Sequence, residues 1–304
     1  MLSLHAARSP TGQATHAPRI GLAIAGGGPI GAMYELGALR ALDEACDGLD
    51  LTRLDCYVGV SSGAFFAAGL ANRMDTAELC RIFISGESAD VTFRPETFLR
   101  PAVPEYLRRA TAIPRLAAKL AGDLWRGRGD SRWSDLVTRV GGLVPTGLFD
   151  NAQVERFLRG VFTRHGRSND FRTLERALYV IGVDLDSGEA VRFGDAGWDD
   201  VPISQAVQAS AALPGLYPPV ELRDRQGRTR HIVDGALRRT MHASVVLDSD
   251  VDLMIGINPL VPFNPGNDDA QADAHRFSDR RIAEGGLPGV LSQTLRTMLQ
   301  SRMQ

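Results

Sequence analysis

The stretch "AGGGPIGAMYELG", residues 25–37, decides how this chain is read, because three consecutive glycines run straight into an amphipathic pattern. Ahead of it, "RIGLAIAGGG" (19–28) is a short apolar run of strand character. Behind it, "GAMYELGALRALDEA" (31–45) spaces Met33, Leu36, Leu39 and Leu42 near a helical period, which predicts a core-facing stripe. The unit is strand, glycine turn, helix. Such a turn can receive either of two anionic groups. Gly26, Gly28 and Gly31 fit the G-x-G-x-x-G fingerprint that cradles a dinucleotide pyrophosphate. Backbone amides at a glycine run can equally hold the oxyanion of an acyl transfer.

The next apolar run, "LDCYVGVSSGAFFAAGLA" (54–71), repeats the plan with a different corner. Residues 54–59 read as a strand and Ala64 to Ala71 as a helix of small residues, with G-x-S-x-G at Gly59 to Gly63 between them. Ser61 takes the nucleophile position of that motif. A nucleophile at the tip of a strand-to-helix corner brings its backbone close to neighbouring chains, so the flanking positions need glycine. The corner also leaves the hydroxyl at a helix N-terminus, where developing negative charge is favoured.

A serine hydroxyl needs a base. Asp234, in "HIVDGALRR", sits at the end of a strand-like run and precedes Gly235, at the kind of strand edge where open α/β sheets gather reactive groups. The plainer reading of that pair is an Asp-Gly turn. Histidine is the rival base: His231, His242 and His275 all lie downstream of Ser61, and only the last two also follow Asp234 as a Ser-Asp-His order requires. A dinucleotide site would explain Gly26 to Gly31 but leave Gly59 to Gly63 unused. It also wants an acid at the end of the second strand, roughly 20 residues on, whereas Asp50 precedes that strand. An acyl-transfer site uses all three segments: amides at Gly26, Gly27 and Gly28, joined by Ser62, hold the oxyanion, Ser61 attacks and Asp234 takes the proton.

Further strands are predicted at 177–185, 189–194, 230–235 and 252–260, and helices near 150–160, 203–212 and 288–303. Their alternation indicates a mainly parallel sheet covered by helices, with no internal repeat. Residues 1–18 read as a flexible leader and 19–260 as the catalytic domain. Residues 261–304 read as a C-terminal loop and helix whose lack of a stop signal suggests a chain that continues. Prolines at 95, 101, 104, 114 and 145 break up residues 85–148, read as a helical insertion. Within it, the 100–132 segment carries eight basic residues against three acidic ones, with Leu116, Leu120 and Leu124 at helical spacing beside Trp125. One reading is a basic amphipathic helix that meets anionic lipid at a membrane surface. The other is a core-facing leucine stripe with a solvated face.

The 304 residues, 44% of them hydrophobic, suffice for one large α/β domain. The 34 basic and 36 acidic residues leave a net charge of −2, which argues against nucleic acid as a partner. Only Lys119 among the basic residues is lysine, a skew that reads as genome composition and deprives single arginines of diagnostic weight. Cys46, Cys56 and Cys80 are odd in number and lack C-x-x-C spacing, which points to a reducing, cytoplasmic compartment without a zinc site. The leader has no apolar signal-peptide core, and no run approaches the ~18 apolar residues that span a bilayer. No cofactor is expected.

Gly-Gly-Gly-x-x-Gly after the first strand, Gly-x-Ser-x-Gly after the second and Asp-Gly-Ala far downstream together resemble the patatin-like phospholipase family. "ASAALPGLYPPV" (209–220) resembles that family's block between nucleophile and aspartate. The resemblance, over about residues 19–260, implies a three-layer α/β/α sandwich and a serine-aspartate dyad of Ser61 and Asp234 with no obligatory histidine. It also implies hydrolysis of lipid acyl esters, with Gly31, Gly59, Gly63 and Gly235 supporting the motifs. One departure concerns Ile30, which follows Pro29 where family members often carry Arg or Lys. A nicotinamide- or flavin-dependent oxidoreductase and a non-catalytic lipid-binding module are the alternatives.

Overall fold

The computed structural model describes residues 17–86 and 146–260, the short strand Leu2–Ser3 and scattered positions between 94 and 111. Strand β1 (Leu2–Ser3) pairs in parallel with β3 (Cys46–Asp47), so part of the expected flexible leader is engaged in backbone pairing. The central strands β2 (Ile20–Ile24) and β4 (Cys56–Val60) are buried at every position, as continuous apolar runs require when both faces of a sheet are covered. Each feeds a helix: β2 leads into α1 (Gly28–Ala45), and β4 into α2 (Ser62–Ala71). The short helix α3 (Thr76–Cys80) follows, its first turn capped by Asp75, whose side chain accepts from the Glu78 N–H.

Downstream come α4 (Ala152–Phe162), β5 (Ala177–Asp184), β6 (Ala190–Phe193), α5 (Ile203–Ser210), β7 (Val220–Arg223), β8 (Thr229–Asp234), α6 (Ala243–Leu247) and β9 (Leu253–Ile257). The sheet runs β7-β8-β5-β4-β2-β9, with β6 also paired to β5. Strands β9, β2, β4 and β5 are mutually parallel, whereas β6, β8 and β7 are added antiparallel. This is the expected α/β architecture, its parallel centre extended by antiparallel strands.

Side-chain alternation divides the core in two. Leu22, Ile24, Tyr57, Leu178 and Val180 face one large cluster, filled from α1, α2, α4 and α5. Ala23, Val58, Val60 and Ile181 face the other way, onto Val245 and Val246 of α6. Helices on both faces of the sheet make the three layers.

Strand β5 pairs with β4 through Ala177–Ile181, with β6 through Val180–Val183 and with β8 through Gly182–Asp184. Because β6 overlaps both of the others, β4 and β8 must share the opposite edge of β5, one after the other. Val60 stands across from Ile181, and Asp234 across from the next residue, Gly182. Two strands far apart in sequence thus meet end to end.

The phase of α1 differs from the expectation. Gly31, Glu35, Leu36 and Leu39 are its buried residues, whereas Met33 is exposed. The inward stripe is rotated so that a carboxyl takes a place that the apolar pattern assigned elsewhere. The 100–132 leucine stripe, the 288–303 helix and most of the 85–148 insertion lie outside the described residues. Among the described residues no helix is long and apolar enough to cross a membrane.

Candidate active site

Ser61 stands at the junction of β4 and α2 with φ +50° and ψ −120°, a left-handed conformation that costs a non-glycine residue energy. The surroundings hold it there. A Cβ at Gly59 would fall 2.5 Å from Ala64 Cα, and one at Gly63 would fall 2.5 Å from the Ile24 carbonyl oxygen. Only glycine lets α2 fold back over β4 and press onto the end of β2. The Ser61 N–H donates to Ser210 Oγ at 2.9 Å, and that hydroxyl donates to the Ile181 carbonyl at 2.6 Å. Ser210, from the last turn of α5, is thus a support that the sequence reading did not single out. Its only signal was its place in the small-residue block 209–220.

Asp234 closes β8, with its carboxyl almost wholly buried. Its Oδ1 accepts from the Ala236 N–H at 2.8 Å, and its own N–H donates to the Ala212 carbonyl at 3.1 Å. Burial pushes the carboxyl up to about 6, while hydrogen bonding from the Ser61 hydroxyl and the Ala236 amide acts the other way. The glycine turn completes the cluster: a Cβ on Gly26 would lie 2.9 Å from Ser61 Cβ and 3.4 Å from Ala236 Cβ. Three segments distant in sequence therefore converge, through the ends of β2, β4 and β8.

The amides of the turn are not equivalent. Gly26 N–H donates to the Thr240 carbonyl at 3.0 Å, and Gly27 N–H to Ser62 Oγ at 2.8 Å. Gly28, at φ +63°, begins α1, and its amide has no hydrogen-bond partner among the described residues. The Ser62 amide, first in α2, has none there either. Of the four amides expected to receive an oxyanion, those of Gly26 and Gly27 are bonded inside the protein, whereas those of Gly28 and Ser62 have no partner among the described residues. Both open amides are the first of a helix, where unpaired N–H groups and the helix dipole favour negative charge.

Neither of the two described candidate histidines is hydrogen-bonded to Ser61 or Asp234. His231 is half-buried and meets Asp186 Oδ2 at 3.1 Å. His242 is buried, bonded to the Gly235 backbone and driven down to about 4 by desolvation, with Nε2 unpartnered among the described residues. No hydrogen bond joins it to Ser61 or Asp234. His275 lies outside the described residues. Asp50 is exposed and accepts from the Thr52 amide at 2.9 Å in the loop before β4, so it does not close that strand as a ribose-binding acid would. Among the described residues no group of three His, Cys, Asp or Glu side chains is placed to hold a metal ion.

Solved structures similar to this chain include VipD from Legionella pneumophila, at 21% identity and TM-score 0.41, covering 91% of this chain and 56% of that one. The type III effector ExoU is similar at 19% identity and TM-score 0.33, covering 94% of this chain and 53% of that one. ExoU in its complex with SpcU, from the Pseudomonas aeruginosa type III secretion system, has 19% identity and TM-score 0.29, over 66% of this chain and 37% of that one. The chain thus spans little more than half the length of these proteins, or less. No curated protein sequence matches it. A family model described as patatin-like phospholipase matches residues 22–247, a span that runs from β2 through α6 and takes in the glycine turn, the Ser61 corner and Asp234; the chain belongs to that family.

Proposed function

We propose that this protein hydrolyses acyl esters of lipids through a serine-aspartate dyad, with Ser61 as nucleophile and Asp234 as general base. The observation that carries this reading is the end-to-end placement of β4 and β8 on one edge of β5, which sets a buried, proton-hungry carboxyl beside a strained serine. Asp234 takes the hydroxyl proton as Ser61 Oγ bonds to the ester carbonyl carbon. The tetrahedral oxygen accepts from the Gly28 and Ser62 amides, and collapse expels the alcohol, which takes up the proton. Water then attacks the acyl-serine, with Asp234 again as base, and releases the fatty acid. Each oxyanion donor is worth about 10²- to 10³-fold in rate.

The dinucleotide reading is disfavoured by the engagement of the Gly26 and Gly27 amides inside the protein and by Asp50 standing ahead of β4. The 100–132 segment is the proposed contact to a membrane surface, and the proposed site of action is the cytoplasmic side.

Fluorophosphonate labelling with peptide mapping tests the reading, followed by turnover of phospholipid, glyceride and short-chain ester substrates. Covalent modification at Ser61, lost in Ser61→Ala together with ester cleavage, is the expected result. An unlabelled protein that binds lipid without turnover would identify a binding module instead.

A further inference from the structure

Glu35 is the one carboxyl in the buried stripe of α1, and it is fully inaccessible to solvent. Its neighbours on that face are Gly31 and Leu39, and an apolar residue there would avoid the cost of burying a carboxyl. Burial raises its proton affinity strongly, to about 8. Oε2 has no partner among the described residues. Oε1 has one: it accepts from Ser62 Oγ at 2.8 Å.

Ser62 uses its hydroxyl in both directions, since the same oxygen accepts from the Gly27 N–H at 2.8 Å. A chain of two hydrogen bonds therefore runs from the glycine turn, through the first residue of α2, to the second turn of α1. Glu35 Oε1 also lies directly beneath the turn, where Cβ atoms on Gly27 and Gly31 would come within 3.1 and 3.3 Å of it. Pro259 closes the other side, and the same two added atoms would fall 2.4 and 3.0 Å from its Cγ. The carboxyl is gripped at the one point where α1, α2 and the turn meet.

The two open amides, Gly28 and Ser62, belong to different helices, and nothing in either helix alone fixes their separation. We propose that Glu35 is a positioning residue for acyl transfer: acting through Ser62, it locks the glycine turn to the nucleophile corner and so holds the two oxyanion donors in register. The inference rests on the reading of Ser61 as nucleophile. Glu35 touches no substrate; it acts only on the group that spans the two helices. Loosening the lock leaves ester binding intact and costs stabilisation of the tetrahedral oxygen, so kcat bears the loss. A misplacement of about 1 Å at a reacting centre costs on the order of 100-fold.

The test uses the whole chain, p-nitrophenyl butyrate as probe, and the variants Glu35→Leu, Ser62→Ala, the double variant and Glu35→Gln. Expected are kcat losses of about 10- to 100-fold for Glu35→Leu and for Ser62→Ala, with KM changed less than about 3-fold. The double variant should be no worse than the poorer single one, because both cut the same chain. Glu35→Gln, whose amide oxygen still accepts from Ser62, should recover most of the rate lost in Glu35→Leu. Rates within about 3-fold of the parent for either single variant, multiplying losses in the double variant, or a Gln variant as poor as Leu would each overturn the proposal. Where Glu35→Leu shows no cooperative thermal transition, Ser62→Ala and Glu35→Gln decide by the same criteria. A parent unlabelled at Ser61 removes the functional reading and this inference with it, whereas a labelled parent indifferent to these changes removes the inference alone.

Discussion

The two halves of the candidate dyad are built in opposite ways. Ser61 directly follows a parallel central strand, and its geometry is local: a φ of +50°, glycines two positions away on either side and a small-residue helix folded straight back. Asp234 sits on an antiparallel strand, in ordinary extended backbone, and its character comes from burial, which lifts the carboxyl to about 6. The proposed nucleophile is set by strain and the proposed base by desolvation. Local strain needs close packing to sustain it, whereas a desolvated carboxyl needs only an apolar wall.

Replacing the base should separate activity from stability most sharply. Asp234→Asn should lower kcat/KM by roughly 10³-fold or more, measured with a short-chain ester. In the parent, the rate should fall about tenfold per pH unit below about 6, as the carboxyl takes up its proton. The sign for stability is reversed. The folded-state affinity is raised above the ordinary value of 3.8, so the native state binds the extra proton between about 4 and 6, and this group's contribution to stability declines as pH rises through that window. Above it, Asp234→Asn should be more stable than the parent by up to about 3 kcal/mol, read from denaturant unfolding at pH 5 and pH 8.

On the other half, changes should cost fold and activity together. Gly63→Ala drives a methyl into the Ile24 carbonyl, and a loss of about 2–4 kcal/mol in unfolding free energy is expected. Ser210→Ala strands the buried Ser61 N–H and should cost about 1–3 kcal/mol together with part of kcat. The smallest effect belongs to the histidines. His231→Gln and His242→Gln should each leave the ester rate within about 3-fold, because a dyad needs neither; a collapse comparable with Asp234→Asn would reveal a triad.

The same contrast explains what could be read from the sequence. The Ser61 corner was legible because its requirements are local: glycine, nucleophile and helix lie within five residues of one another. Asp234 was legible as an Asp-Gly at a strand's end, and it does close a strand, but an antiparallel one and not a parallel one. Strand β7 escaped notice because Val220–Arg223 is short, charged and on the sheet edge, and its signal lay only in the Asp224 to Gly227 turn that follows. Ser210 and Glu35 were out of reach, since a hydrogen bond to a distant segment leaves no periodicity. The occupied amides of Gly26 and Gly27 were hidden for the same reason. Apolar spacing put Met33 inward, but the packing of Gly31 against Pro259 turns the helix so that Glu35 points in.

Strand β5 works as a ruler. Val60, which precedes the serine, and Asp234 stand across from consecutive positions on it, Ile181 and Gly182. Insertions in the loops that join β4, β5 and β8 leave that spacing alone. A two-residue shift of β8 along its neighbour, in contrast, would carry the carboxyl off by about 7 Å without altering a single amino acid at the site.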